Sequence, residues 1–227
     1  MDYRVDRAET PVGKVLLDSC ILISRHIRDW ILILSYKSNE MDIPLFTPCV
    51  SSRIMDEFGY HMARDEEVTD DAALETIRTR ILSNSERIAG FKVKPIDDFP
   101  DINDLHLHAA AEFGDIDFLV TNDKKLITYA STEVAKDIQT YDTCNANDFL
   151  MLLTEYAPFN LLAEAYLFQE AYFYEKGKFY EEGKSLNLID MLKEDAEDFA
   201  RYLRTVVINS PQFDDYERDF KARSSSN

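Results

Sequence analysis

Cysteine is scarce in this chain. Cys20, Cys49 and Cys144 are the whole supply among 227 residues, and they lie far apart. No C-x-x-C pair arises, so neither a zinc site nor a disulfide framework is indicated, and the usage fits a reducing cytosol. Positive charge is also short: 25 basic residues face 43 acidic ones, for a formal net charge of −18. That balance argues against a broad electrostatic footprint for nucleic acid, although a local groove or a metal can still supply positive charge. No apolar run approaches the ~20 residues needed to span a bilayer, and no basic-then-apolar leader opens the chain. The expectation is a soluble, cytoplasmic protein with no membrane partner. Internal repeats are missing, and the terminal "KARSSSN" alone has low complexity.

What is present is apolar and regularly spaced. A hydrophobic content of 45% is ample for a packed core. Residues 1–13 are polar and read as an N-terminal arm. "KVLL" reads as a strand, followed by a helical pattern through Ile27, Ile31 and Leu34. "IPLFTPCV", "FKVKPI", "DFLVT" and "IQTYD" read as four further strands. "SSRIMDEFGYHMARDEE" is a helix capped by Ser51 or Ser52, and "TDDAALETIRTRILSNSERI" is one capped by Thr69. "DINDLHLHAAAEFG" is a helix closed by Gly114, and "KKLITYASTEVAKD" lies between the last two strands. Strands alternating with helices imply an α/β fold, a three-layer α/β/α arrangement with a mostly parallel central sheet. After about residue 150 the strands are expected to stop. A helical extension follows over 151–220, interrupted at Pro158, with a helix at about 159–182. A later apolar period runs through Leu188, Leu192, Ala196, Phe199, Leu203 and Val206. Residues 221–227 are then a flexible tail.

Two of the strands end on acids. "KVLLDSC" drives Asp18 into the end of an apolar run, and "DFLVTND" closes on Asp123. In an open parallel sheet both project at the carboxyl edge, where ligands bind. Helices that follow parallel strands start at that edge as well. Glu57 then lies about 7.5 Å along one of them, at 1.5 Å per residue, and Asp104 falls in the first turn of another. Each acid has a plain structural reading, since Asp18, Asp104 and Asp123 can cap helix N-termini for about 0.3–2 kcal/mol apiece. Glu57 can be an ordinary surface residue. Together the acids are harder to explain, because two like charges about 4 Å apart repel by roughly 4 kcal/mol at an effective dielectric near 20. A divalent ion removes that penalty, and oxygen-only ligands suit Mg²⁺ or Mn²⁺.

Over about residues 14–150 the pattern resembles the PIN-domain ribonuclease family, which includes the VapC-type toxins of toxin–antitoxin pairs. "VLLDSCILIS" is similar to the family's opening strand and first acid, on Asp18. "SSRIMDEF" resembles the helix with the second acid, on Glu57. "DINDLHLHAAAEFGDIDFLVTNDKKLI" resembles the segment with the last two, on Asp104 and Asp123. The gaps between the four acids are 39, 47 and 19 residues. The resemblance implies a PIN-like nuclease domain over 14–150 and a metal-dependent endoribonuclease. Asp18, Glu57, Asp104 and Asp123 would be the catalytic acids holding Mg²⁺ or Mn²⁺, so that an activated water hydrolyses RNA phosphodiesters. Ser19, Thr121 and Asn122 are candidate donors orienting those acids. An RNA substrate, a small antitoxin and a second copy of the chain are the partners it implies. Many family members carry Asn two residues after the first acid, where this chain has Cys20. Asp117 competes with Asp123 for the fourth place but belongs at the entering end of its strand, and Asp101 is a better cap than ligand.

Other features have plainer readings. His106 and His108, spaced i, i+2, point to different helix faces and do not readily share a metal; His26 and His61 have no partners at ligand spacing. The aromatic run through Tyr166, Phe168, Tyr172, Phe173, Tyr174, Phe179 and Tyr180 reads as packing before base stacking. Lys124, Lys125, Arg78, Arg80 and Arg87 suit either RNA phosphates or solvated helix faces. The alternative function is a catalytically inactive PIN-like module that binds RNA or protein. A phosphotransferase of haloacid-dehalogenase type is disfavoured, because Asp18-Ser19-Cys20 lacks the second acid of a D-x-D motif.

Overall fold

The computed structural model describes residues 10–64, 70–175, 180–181, 184–185 and 187–224. Its central sheet has five strands: Lys14–Leu17 (β1), Thr47–Ser51 (β2), Glu86–Ile88 (β3), Phe118–Val120 (β4) and Asp142–Cys144 (β5). Their order is β3-β2-β1-β4-β5, and every neighbouring pair is parallel. Ser19–Ile23 (α1) and Arg25–Glu40 (α2) join β1 to β2, while Ser52–Met62 (α3) and Asp71–Ser83 (α4) join β2 to β3. Leu105–Phe113 (α5) precedes β4, and Lys124–Ala130 (α6) with Glu133–Ile138 (α7) leads to β5. The chain steps outward from β1 in one direction through β2 and β3, then in the other through β4 and β5. Right-handed crossovers therefore place helices on opposite faces, giving the three-layer α/β/α arrangement that strand–helix alternation predicts. The direction reverses between β1 and β4, so a crevice opens outside their carboxyl ends.

Local chemistry explains the element boundaries. Pro48 sits in β2 without breaking it. Thr47 N–H donates to Gly13 O at 2.9 Å, so the neighbouring Pro48 faces the β3 side, where pairing begins only at Cys49 opposite Glu86. The Ser51 hydroxyl accepts from Ile54 N–H and caps α3. Thr69 lies outside the described residues; Asp70 caps α4 by accepting from Ala72 N–H.

The third strand is not "FKVKPI". Asn84 ends α4, and β3 forms from Glu86–Ile88, inside the stretch whose periodicity suggests helix. Gly90 then turns the chain at φ +90°, and 91–96 is not in a strand. Ile88 is buried beside Gly114, where a Cβ would lie 2.9 Å from Ile88 Cδ1. Lys92 and Lys94 by contrast are exposed. Similarly β5 is Asp142–Cys144 rather than "IQTYD".

After β5 come Ala146–Leu153 (α8), which straddles residue 150, and then Phe159–Glu175 (α9), Leu188–Leu192 (α10), Glu197–Tyr202 (α11) and Pro211–Ser224 (α12). A two-residue antiparallel ladder, Tyr180–Glu181 (β6) with Lys184–Ser185 (β7), interrupts the expected run of helices. Leu203–Ile208 is wound as a π-helix, with Asn209 N–H donating to Arg204 O at 3.0 Å. That wider turn rotates the apolar face, so Val207 is buried while Val206, predicted to face the core, is 48% exposed. The tail pattern is helical as far as Ser224. Of the aromatic run, Tyr166 and Phe173 are buried and Phe168 is partly exposed; the side chains of Tyr174, Phe179 and Tyr180 lie outside the described residues.

The C-terminal helices share one core with the sheet layers. Trp30 of α2 meets Phe199 of α11 edge-on, with ring centroids 5.3 Å apart. Replacing Phe199 by Ala is expected to cost about 3–5 kcal/mol. Urea unfolding of the F199A chain would still be one transition; early, separate loss of the C-terminal helices would count against the shared core.

Candidate functional site

The site is built from the carboxyl ends of β1 and β4. Asp18 follows β1 and is 7% exposed. Its Oδ2 accepts from Thr121 Oγ1 at 2.6 Å and from Cys20 Sγ at 3.0 Å, and its Oδ1 accepts from Ser19 Oγ at 3.2 Å. The side chain does not cap α1, and among the described residues no cation pairs with it. Burial, with Asp18 next, pushes the Cys20 thiol up to about 12. Cys20 therefore stays protonated and donates to the carboxylate. Thr121, fully buried, also accepts from Asp123 N–H at 3.0 Å, so one hydroxyl ties the first acid to the last.

The other acids meet the structural reading to different degrees. Asp123 does cap α6, its Oδ1 accepting from Lys125 N–H at 2.6 Å and Leu126 N–H at 3.3 Å. Asp104 stands at the N-cap of α5 with no side-chain cap bond. Capping falls instead to Asp101, whose carboxylate accepts from Asn103 N–H at 2.9 Å at the start of the 3₁₀ turn Ile102–Asp104. Asp104 is the most perturbed acid. Burial first, then the negative charges of Asp101, Asp18, Asp123 and Glu57, hold its carboxyl up at about 6. Glu57 is raised by burial and by Asp18, with Arg53 opposing the rise.

The four predicted acids thus act on one another across one rim. They do not close into a ligand set: among the described residues, no group of three or more His, Cys, Asp or Glu side chains stands where it could hold a metal ion. Particular contacts restrain the acids. Glu57 Oε1 lies 2.8 Å from His106 Nε2 and 3.5 Å from Arg53 Nε. Asp123 commits one oxygen to its cap. Asp117 sits at the far edge, where its Oδ2 accepts from Lys14 N–H at 2.7 Å.

Of the expected orienting residues, Ser19 and Thr121 touch Asp18. The Asn122 side chain accepts from Ala146 N–H at 3.2 Å and ties the rim to α8. His106 is a site residue that sequence reasoning set aside. It is fully buried, burial and Arg53 lower it to about 4, and its Nδ1 has no partner among the described residues. With Glu57 ionised, the neutral ring donates through Nε2. The available signal was a histidine two residues beyond an acid, on the face that α5 buries. His108 makes a separate contact, 3.0 Å from the Tyr141 hydroxyl.

No family model matches the chain, and no curated protein does. A solved structure, PAE2754 from Pyrobaculum aerophilum, is similar at 15% identity and a TM-score of 0.40, over 64% of this chain and 92% of that one. A likeness that slight carries no functional argument.

The raised Asp104 carboxyl gives a pH signature. Between its ordinary value of 3.8 and about 6, the folded chain binds more protons than the unfolded one, so stability falls as pH rises through that window. Asp104→Asn removes the term. The variant is expected to melt above the parent at pH 8, with the difference closing towards pH 4, as scanning calorimetry would register.

Proposed function

We propose that the chain is a metal-dependent endoribonuclease of PIN-like type, with residues 14–150 carrying the chemistry and 151–220 forming an attached helical extension. One observation supports this reading above the others. Asp18 and Asp104 lie beside Glu57 and Asp123 at the crevice of the sheet, yet neither caps a helix with its side chain. Neighbouring acids with no paired cation among the described residues cost the fold stability, and a binding role accounts for Asp18 and Asp104 where capping does not.

The donor set fits a hard divalent cation, being all carboxylate oxygen. Mg²⁺ or Mn²⁺ held by Asp18, Glu57, Asp104 and Asp123 would neutralise the cluster and activate water towards a phosphodiester. The chain's own residues do the positioning. Thr121 and Ser19 fix the two oxygens of Asp18, and Thr121 also sets the backbone of Asp123. His106 and Arg53 hold Glu57, which must turn from them to join a shared ion. A small antitoxin and a second copy of the chain belong to the same reading as partners and rest on the family resemblance alone.

The alternative, an inactive module that binds RNA or protein, is favoured by the absence of a closed metal-ligand group among the described residues. One experiment separates the two. Incubated with single-stranded RNA and Mn²⁺, the chain is expected to cut internally and to stop on chelation. Asp18→Asn should lower the rate by more than about a hundredfold, since even groups behind metal ligands cost 10–100-fold, with the circular dichroism spectrum unchanged. Cleavage that survives chelation, or no cleavage with any divalent ion, would refute the nuclease reading.

A further inference from the structure

Most described lysines and arginines are spoken for by acids. Lys37 pairs with Glu40 and Glu164, Arg204 with Asp190 and Lys221 with Glu217. The exceptions are not scattered evenly. Arg87, on β3, and Lys124 and Lys125, at the start of α6, are exposed and have no acid within ion-pair distance among the described residues. Lys92 and Lys94 are likewise exposed and unpaired, on the loop that follows β3. Arg53 stands nearby, donating to Asn103 O at 3.2 Å while pairing with Glu57. Arg87 is aimed along the same edge, because its Nη2 donates to Ser52 Oγ at 2.7 Å, at the first residue of α3.

Apart from the Arg53–Glu57 pair, the carboxyl edge thus carries carboxylates without cations beside cations without carboxylates. In a chain of net charge −18, an acid partner for each of these cations would be easy to supply. Leaving the two sets apart creates complementary charge for a third party that brings anions and a metal together. Resting on the nuclease reading, we propose that this edge seats the phosphates of a single-stranded RNA, with Arg87 and Arg53 on one flank of the acids and Lys124 and Lys125 on the other. Strand order sets the scale. Three strand spacings separate β3 from β4, about 14 Å, and Asp18 lies between them at the end of β1. A strand held on both flanks presents an internal linkage to the acids, which is endonucleolytic geometry. Ile102, 75% exposed in the turn before Asp104, provides an apolar surface for an unstacked base, which a single strand can supply and a duplex cannot.

Arg78 takes no part. It donates to Met55 O at 2.8 Å and lies against Gly59, locking α4 to α3. Arg80, Arg64 and Lys193 have no ion pair among the described residues either, but they lie on α4, after α3 and after α10, and serve as controls.

The test is binding of a labelled oligouridine to the full chain, by fluorescence anisotropy in chelator, where no metal-dependent cutting occurs. Affinity is followed against salt. Each phosphate contact contributes about 0.7 to the slope of log affinity against log salt for a single strand. Arg87→Gln should lower the slope by about 0.7 and the affinity about fivefold at 0.1 M salt, and the Lys124→Gln, Lys125→Gln pair by up to twice that slope. Arg64→Gln and Lys193→Gln should leave both unchanged. Slopes unmoved by the rim variants, or moved equally by the controls, would overturn the proposal, as would failure of the parent chain to bind. Equal competition by polyglutamate would assign the edge to an acidic protein and overturn it as well. The nuclease reading fails separately: slope losses as expected but no Mn²⁺-dependent cleavage would refute catalysis and leave the RNA-seating edge standing.

Discussion

The site depends on a buried carboxylate that no cation among the described residues balances. Asp18 is almost out of contact with water at the end of a central strand, where a carboxylate is costly unless donors surround it. Thr121, Cys20 and Ser19 are those donors. Each has a reason to be there: Thr121 hangs from the neighbouring strand end, and the other two open the helix that Asp18 precedes. Because Thr121 also receives Asp123 N–H, the ends of β1 and β4 form one hydrogen-bonded unit. Asp104 and Glu57 then approach a negative charge that is already fixed, and it adds to burial and to Asp101 in raising the Asp104 carboxyl.

Much of this was legible in the sequence because it follows from strand direction. A parallel sheet puts every strand end at one edge, so an apolar run closing on an acid is informative before any coordinates exist. Asp18 and Asp123 are placed by that rule, and Asp117 is sent to the opposite edge by it. The errors fall where tertiary context overrules local pattern. "FKVKPI" has the composition of a strand, but the sheet is continued instead by the short "ERI", because Ile88 has a buried place beside Gly114 and Val93 remains exposed. The π turn at Leu203–Ile208 breaks a helical period that is regular in the sequence. The Glu57–His106 pair could not be read from spacing, because it joins side chains 49 positions apart.

The helices beyond residue 150 are bound to the same edge by side-chain amides. Asn122, beside Thr121, receives Ala146 N–H at the start of α8. Asn147, one residue later, receives Asp198 N–H at 2.9 Å and Phe199 N–H at 3.3 Å at the start of α11. Ser24, just after α1, donates to Asp195 Oδ2 at 2.8 Å. A polar chain therefore runs from the rim through α8 to α11, and the Trp30–Phe199 contact backs it with apolar burial. The extension therefore packs on two sides, against α8, which follows β5, and against α2, which follows β1.

Net charge is a poor guide to such an edge. Summed over the chain it is −18, which predicts repulsion of RNA at long range. Within about a Debye length, some 8 Å at physiological ionic strength, the relevant quantity is which charges already have partners. Ion pairs such as Arg201–Asp198 and Lys136–Glu133 present little net field to a ligand, while Arg87, Lys124 and Lys125 present theirs in full. The acids of α12, Asp214, Asp215, Glu217 and Asp219, are nearly balanced by Arg218, Lys221 and Arg223 on the same helix. Within a Debye length the local field at the carboxyl edge is set by exposed cations that have no ion pair among the described residues, Arg87, Lys124 and Lys125, and the summed charge of the chain does not describe it.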